Sequence, residues 1–110
     1  TSTPLGDLRE AEAIKAVFGD RAREVAISGT KSLTGHLMGA AGAVEGVFSV
    51  LSVHHQVAPA TLNYLEPDPE IGLDVVHGES REMTIRYAMS DNIGLGGHNG
   101  AVIFKRYEGD

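Results

Sequence analysis

The sequence predicts an α/β fold with a small mixed β-sheet, and three observations lead to that prediction. An amphipathic helix opens the chain, a long apolar helix occupies residues 39–55, and short β-like runs flank that helix. The runs cover residues 24–28, 84–89 and 101–106, with 73–76 as a further short strand. The order α-β-α-β-β with one dominant helix is typical of a sheet covered by helices.

The first helix is predicted from its cap spacing and its apolar stripe. Asp7 is followed three positions later by Glu10, which is the spacing of a capping box with Asp in the place of Ser or Thr. One face then carries the apolar residues of an amphipathic helix, Leu8, Ala11, Ile14, Val17 and Phe18. Gly19 follows as a residue that ends a helix.

The helix predicted at 39–55 is apolar or small on nearly every side, which indicates a buried helix. Its large residues lie together on one side, at Val44, Val47, Phe48 and Leu51. Its glycines form a smooth strip that a neighbouring element can approach, at Gly39, Gly42 and Gly46. A helix this apolar is unusual in an independent domain of 110 residues.

Composition excludes several classes of function. The 110 residues carry a net charge of -6, which disfavours a nucleic-acid partner. With no cysteine, the chain has no disulfide, no thiolate metal site and no cysteine nucleophile of its own. We expect no metal site, no membrane span and no signal peptide, and a cytoplasmic location. Because the first residue is Thr rather than Met, we expect a piece of a longer chain or a processed one.

Three ionisable residues around the start of the long helix are the first candidates for function. Glu45 lies two turns into an apolar helix, so it needs a cation or hydrogen-bond donors, and Lys31 is the nearest candidate in sequence. A plain surface lysine is the alternative. His36 precedes the helix, where the helix dipole and a nearby lysine disfavour the imidazolium. A neutral imidazole can donate a hydrogen bond to a developing enolate, although a lone histidine beside a helix start is more often a cap or a core group.

Two stretches are predicted to be irregular. Residues 58–73 contain three prolines and should cross the surface. Residues 91–99 form a Gly-rich loop that joins two strands, so a dinucleotide site is disfavoured. Its backbone N–H groups could form an oxyanion hole, or the loop could simply be a tight β-connection.

Four stretches together resemble one family. They are residues 1–7, Thr-Ser-Thr-Pro-Leu-Gly-Asp; residues 29–45, Gly-Thr-Lys-Ser-Leu-Thr-Gly-His-Leu-Met-Gly-Ala-Ala-Gly-Ala-Val-Glu; residues 59–68, with Pro-Ala-Thr-Leu-Asn and Pro-Asp; and residues 92–104, with Asn-Ile-Gly-Leu-Gly-Gly-His-Asn and Val-Ile-Phe. In this order they resemble the C-terminal part of a β-ketoacyl-[acyl-carrier-protein] synthase of the elongating type, a member of the thiolase superfamily.

The resemblance implies a thiolase fold, in which two similar α/β halves pack around central helices. Residues 1–110 would be a single domain, the C-terminal portion of the second half, with helix 39–55 as a buried central helix. The implied reaction is a decarboxylative Claisen condensation of an acyl thioester with malonyl-[acyl-carrier-protein]. The implied partners are acyl carrier protein, the N-terminal part of the same enzyme and a second copy in a homodimer. No cofactor is implied beyond the phosphopantetheine of the carrier.

The resemblance also assigns roles to residues. His36 matches the histidine that hydrogen-bonds the malonyl thioester oxygen and stabilises the enolate, and Lys31 with Glu45 matches the supporting lysine–glutamate pair. The pantetheine-binding threonines of the family match Thr1 and Thr3, and the oxyanion hole and acyl gate match Ile93 and Gly94.

The chain departs from the family's pattern in ways that matter. The cysteine nucleophile and the first histidine of the family's triad are absent from these residues, so the chain alone is expected to be inactive. Ile93 stands where the family commonly has Phe, which is expected to change the gating of the acyl pocket. Two alternatives stay open: a non-catalytic subunit like a chain-length factor, and a stand-alone module that binds acyl carrier protein.

Overall fold

The computed structural model describes residues 1–109 and has three α-helices and six strands in that range. The helices are α1 (Pro4–Phe18), α2 (Lys31–Thr34) and α3 (Ala41–His55). The strands are β1 (Ala26–Ile27), β2 (Val57–Ala58), β3 (Asp74–Val75), β4 (Arg81–Glu82), β5 (Tyr87–Ile93) and β6 (Asn99–Lys105). Tight 3₁₀ turns occupy Gly19–Glu24, Met38–Ala40 and Leu95–Gly97.

The strands pair in both orientations, as the prediction of a mixed sheet requires. Strand β1 runs parallel to β3, whereas β2 with β4 and β5 with β6 are antiparallel. Within residues 1–109 these pairs form three two-stranded sheets rather than the one mixed sheet expected. The reason is length, since β1 to β4 have two residues each and only β5 and β6 extend over seven.

Helix α1 starts earlier than its capping-box spacing predicted. Thr3 is the N-cap in an extended conformation and Pro4 is the first helical residue, a position where the missing N–H of proline costs nothing. Asp7 lies in the first turn, where its charge favours the helix dipole, and its backbone N–H donates to the Thr3 carbonyl at 2.9 Å. The predicted end is confirmed, because Gly19 has a φ of 58°.

Helix α3 packs on β5 and β6 with its small residues inward. A Cβ at Gly46 would lie 3.6 Å from the Phe104 ring, so the glycine lets the helix approach the sheet closely. Within residues 1–109 only Ala41 and Val53 of this helix are buried, as expected of a helix too apolar for an independent domain of this size. Val47 is 58% exposed and Leu51 44%, because nothing in the described chain covers the outer side of the helix.

The remaining segments differ from the prediction mainly in extent. Strands β5 and β6 extend into the predicted loop, which leaves residues 94–98 as the connection. The 58–73 connection is largely irregular, as predicted, and Thr61 forms an isolated parallel bridge with His77. The core is built of small side chains, namely Ala11, Ala22, Ala41, Val53, Ala58, Ala60 and Val76. Across residues 1–109, none of the helices has both the length and the apolar character that a bilayer crossing demands.

Candidate active site

The centre of the candidate site is an ion pair between Lys31 and Glu45. Lys31 is the first residue of α2 and Glu45 lies in the second turn of α3, and the Lys31 ammonium donates to Glu45 Oε1. The two side chains are 22% and 11% exposed, respectively. The negative charge of Glu45 in the apolar helix is therefore paired with Lys31, the partner predicted from the sequence.

A set of hydrogen bonds fixes the turn that carries Lys31. Gly29 N–H donates to Thr61 Oγ1 at 2.9 Å, and Leu62 N–H donates to Ser32 Oγ at 2.7 Å. The Ser32 hydroxyl in turn donates to the Gly29 carbonyl at 2.7 Å. These bonds hold the single helical turn α2 against residues 59–62.

His36 follows α2 directly, after Gly35 ends the helix with a φ of 75°. Its imidazole is exposed, and its Nδ1 accepts a hydrogen bond from the Met38 N–H at 3.4 Å. Leu37, with a φ of -84° and a ψ of 17°, forms the tight turn that brings this N–H toward the ring. Because Nδ1 accepts, a neutral ring carries its proton on Nε2, which then can donate to a ligand.

The end of β5 presents a backbone donor at Ile93. Gly94 N–H donates to the His98 carbonyl at 3.1 Å, and this pair continues the β5–β6 register in which Ile93 faces Asn99. Opposed residues in an antiparallel pair alternate between bonded and non-bonded. The Ile93 N–H therefore points away from β6, whereas the Gly94 N–H is already used within the turn.

The two threonines lie at the start of α1. A Cβ on Gly6 would collide with the Thr3 hydroxyl and lie 3.8 Å from the Thr1 hydroxyl, so both hydroxyls gather over this glycine. Neither hydroxyl serves as a side-chain cap of the helix in the described chain. Their oxygens therefore remain available to a polar ligand.

An open cleft of about 750 Å³ brings part of the predicted site together. Lys31, Glu45 and Thr1 line it, with residues of α1, β1 and β5. The structure does not bring the other predicted site residues into this cleft, since its lining does not include His36, Thr3, Ile93 or Gly94. Within residues 1–109, no three histidine, aspartate or glutamate side chains are grouped closely enough to bind a metal ion.

The cleft also holds a carboxyl pair that sequence reasoning missed. Burial, and then a hydrogen bond with Asp91, raise the pKa of Glu10 to about 7. Glu10 lies on α1 and Asp91 on β5, so the pair joins two elements far apart in the chain. The only local signal was the capping-box spacing, which pointed to a different role for Glu10.

Comparison with known proteins decides the family. A family model described as "Beta-ketoacyl synthase, C-terminal domain" matches residues 1–65. That range includes Thr1, Thr3, Lys31, His36 and Glu45. The chain belongs to the beta-ketoacyl synthase family.

Full-length members of the family extend the match to the end of the chain. The chain is 48% identical over 108 residues to 3-oxoacyl-[acyl-carrier-protein] synthase 2 of Staphylococcus aureus, strain COL, covering 98% of the chain and 26% of the relative. It is 51% identical over 106 residues to the protein of that name in Coxiella burnetii, covering 96% and 26%. The chain thus spans about a quarter of the length of these beta-ketoacyl synthases.

Solved beta-ketoacyl synthases share the fold. One is a beta-ketoacyl synthase from Burkholderia phymatum STM815, with a TM-score of 0.89 and 38% identity over 98% of this chain and 26% of that one. Another is a type II PKS acyl-carrier protein in complex with its ketosynthase bound to the hexaketide, with a TM-score of 0.91 and 33% identity over 96% and 26%. The thiolase-like α/β fold implied by the sequence resemblance is confirmed by these ketosynthase neighbours.

Proposed function

We propose that this chain is the C-terminal portion of a 3-oxoacyl-[acyl-carrier-protein] synthase, an acyltransferase that elongates fatty acid or polyketide chains. The observation that carries the proposal is the turn from Lys31 to His36, where an anchored lysine is followed by an imidazole whose Nδ1 is occupied and whose Nε2 is a free donor. The similarity to synthases of that name supports it.

In this reaction the His36 Nε2–H donates to the thioester oxygen of a malonyl group carried by acyl carrier protein. As the carboxylate leaves as CO₂, the electron pair of the breaking bond passes into an enolate, and the hydrogen bond to its oxygen strengthens. The Lys31 ammonium, at the start of α2, adds positive charge to the turn, and Glu45 keeps it in place. The enolate carbon then attacks an acyl thioester on a cysteine supplied from outside these residues, and the C–S bond breaks so that the cysteine thiolate leaves as the new ketone forms.

The other predicted residues fit steps of the same reaction. The outward Ile93 N–H would donate to the oxyanion formed when the acyl thioester is attacked, and the Ile93 side chain with Gly94 would border the acyl pocket. Thr1 and Thr3 would hydrogen-bond the phosphopantetheine arm, the only prosthetic group involved. The enzyme would work in the cytoplasm as a homodimer, and this chain without its cysteine partner would be inactive.

Two other functions fit less well. A solved relative described as the ishigamide ketosynthase/chain length factor, 34% identical with a TM-score of 0.91, keeps a non-catalytic subunit under consideration. Such a subunit has little need of both His36 and Lys31. A stand-alone carrier-binding module is disfavoured by the net charge of -6, because carrier proteins are themselves acidic.

The decisive experiment replaces His36 by Ala in the full-length enzyme and measures two half-reactions. Malonyl decarboxylation should fall roughly 100-fold or more, the typical effect of losing an oxyanion donor. Transfer of the acyl group to the cysteine should stay within about twofold. His77→Ala is the matched control, since the side chain of that exposed histidine packs edge-on against Tyr64 and does not line the cleft. Equal loss of both half-reactions would mean that His36 supports the fold, and unchanged decarboxylation would refute the proposal.

A further inference from the structure

The single helical turn α2 cannot maintain its own geometry. It has four residues, and an isolated helix of that length is unstable in water. Its first residue is Lys31, and His36 follows two residues after its end. The placement of both proposed site residues therefore depends on what α2 is attached to.

The turn is attached on two sides. On one side the Lys31 ammonium reaches Glu45 on α3. On the other side the Ser32 hydroxyl is both an acceptor and a donor. It accepts a hydrogen bond from Leu62 N–H and donates one to the Gly29 carbonyl, each at 2.7 Å. One side chain therefore closes the turn and connects it to residues 59–62.

The neighbouring bonds show that residues 59–62 are a firm support. Ser28 Oγ donates to the Pro59 carbonyl at 2.7 Å, and Thr61 N–H donates to the Val76 carbonyl at 2.7 Å. The Ser32 bonds are exposed, so water can replace them when the hydroxyl is lost. Their loss should loosen the turn without unfolding the protein.

We propose that Ser32 is a positioning residue, whose hydroxyl fixes the Lys31–His36 turn for reaction with the malonyl thioester. This inference rests on the proposed synthase function. It gives the hydroxyl a role that acts through Lys31 and His36 rather than on the substrate. Displacement of a reacting group by about 1 Å can cost up to 100-fold in rate, and a loosened turn costs part of that.

The test uses the full-length enzyme with Ser32→Ala, Ser32→Thr and the control Ser80→Ala. Ser80 Oγ accepts from Ala60 N–H at 3.3 Å, so it bonds to the same support without touching the turn. We expect Ser32→Ala to lower the kcat of malonyl decarboxylation about tenfold, with KM and acyl transfer within about twofold. Ser32→Thr keeps the hydroxyl and should restore the rate, and Ser80→Ala should behave as the parent.

A double-mutant cycle and hydrogen exchange separate positioning from general damage. In a Lys31→Ala background, Ser32→Ala should cause little further loss of decarboxylation, because the two residues act together. Amide exchange over residues 30–36 should accelerate about tenfold in Ser32→Ala and stay unchanged in Ser80→Ala.

Several results would overturn the inference: full activity of Ser32→Ala, equal loss of both half-reactions, an independent tenfold loss in the Lys31→Ala background, or an equal effect of Ser80→Ala. If Ser32→Ala does not fold, Ser32→Thr and Thr61→Val replace it, and failure of all three to fold also overturns the inference. A parent that folds but decarboxylates nothing would refute the proposed function, whereas the exchange measurement would still test whether Ser32 fixes the turn.

Discussion

Breaking the Lys31–Glu45 pair should destabilise the full-length enzyme by a predictable amount. Removal of one partner from a fully buried pair costs about 3–5 kcal/mol, whereas an exposed pair contributes about 0.2–1 kcal/mol. The two side chains are 22% and 11% exposed, which lies nearer the buried case. We therefore expect Glu45→Gln to lower the free energy of unfolding by about 2–3 kcal/mol, because Lys31 is left charged in a partly apolar site.

The assay is urea unfolding followed by circular dichroism, with Glu12→Gln as the matched control. Glu12 pairs with Arg9 on α1, and these side chains are 48% and 68% exposed, so its loss should cost less than about 0.5 kcal/mol. The double variant Lys31→Met, Glu45→Leu should regain most of the stability, since no buried charge remains unpaired. A Glu45→Gln loss as small as the control's, or a double variant that costs the sum of both single changes, would refute the reasoning.

Two further predictions concern the Glu10 carboxyl and the end of α3. The pKa of Glu10 is raised from 4.5 to about 7 by burial and then by Asp91, so its contribution to stability is complete below pH 4.5 and is lost as the pH rises through 7. Because the group is half-exposed, we expect a loss of roughly 1–2 kcal/mol between pH 5 and 8 that Glu10→Gln abolishes in urea unfolding, and an unchanged pH slope would contradict this. Gln56→Ala should cost about 1–3 kcal/mol, because the Gln56 amide bonds both the N–H and the carbonyl of Ile85. Gln56→Gly should cost less in the same assay, since Gln56 has a φ of 58° that glycine adopts freely, and a greater loss with Gly than with Ala would refute that account.

Local chemistry made the central ion pair predictable. A carboxylate inside an apolar Gly/Ala-rich helix cannot stay unpaired, and Lys31 was the nearest cation in the chain. The start of α1 also has a local signal, because Thr3 followed by Pro4 is a common helix beginning. The Asp7–Glu10 spacing predicted a later start instead. The observed N-cap Thr3 and the predicted N-cap Asp7 are four residues apart, and the prediction took the wrong one.

Features that depend on distant partners were not predictable. Helix α2 exists because Ser32 and Gly29 bond to a segment about thirty positions later, which no local pattern reports. The hydrogen bond that the His36 ring accepts depends on the tight turn at Leu37, whose φ is -84° and ψ 17°. Both features can be identified only from the three-dimensional structure.

The site residues are held by hydrogen bonds within this chain, whereas many of its apolar side chains are left exposed. Lys31, Ser32 and His36 take their orientation from hydrogen bonds within this chain, which exist without a large core. By contrast, apolar side chains such as Val47 on α3 and Ile103 on β6 are 58% and 65% exposed. The chain spans about a quarter of its relatives' length. Under the proposed function, we therefore expect this chain to supply the hydrogen bonds that orient the Lys31–His36 turn, and other parts of a longer synthase to cover its exposed apolar side chains.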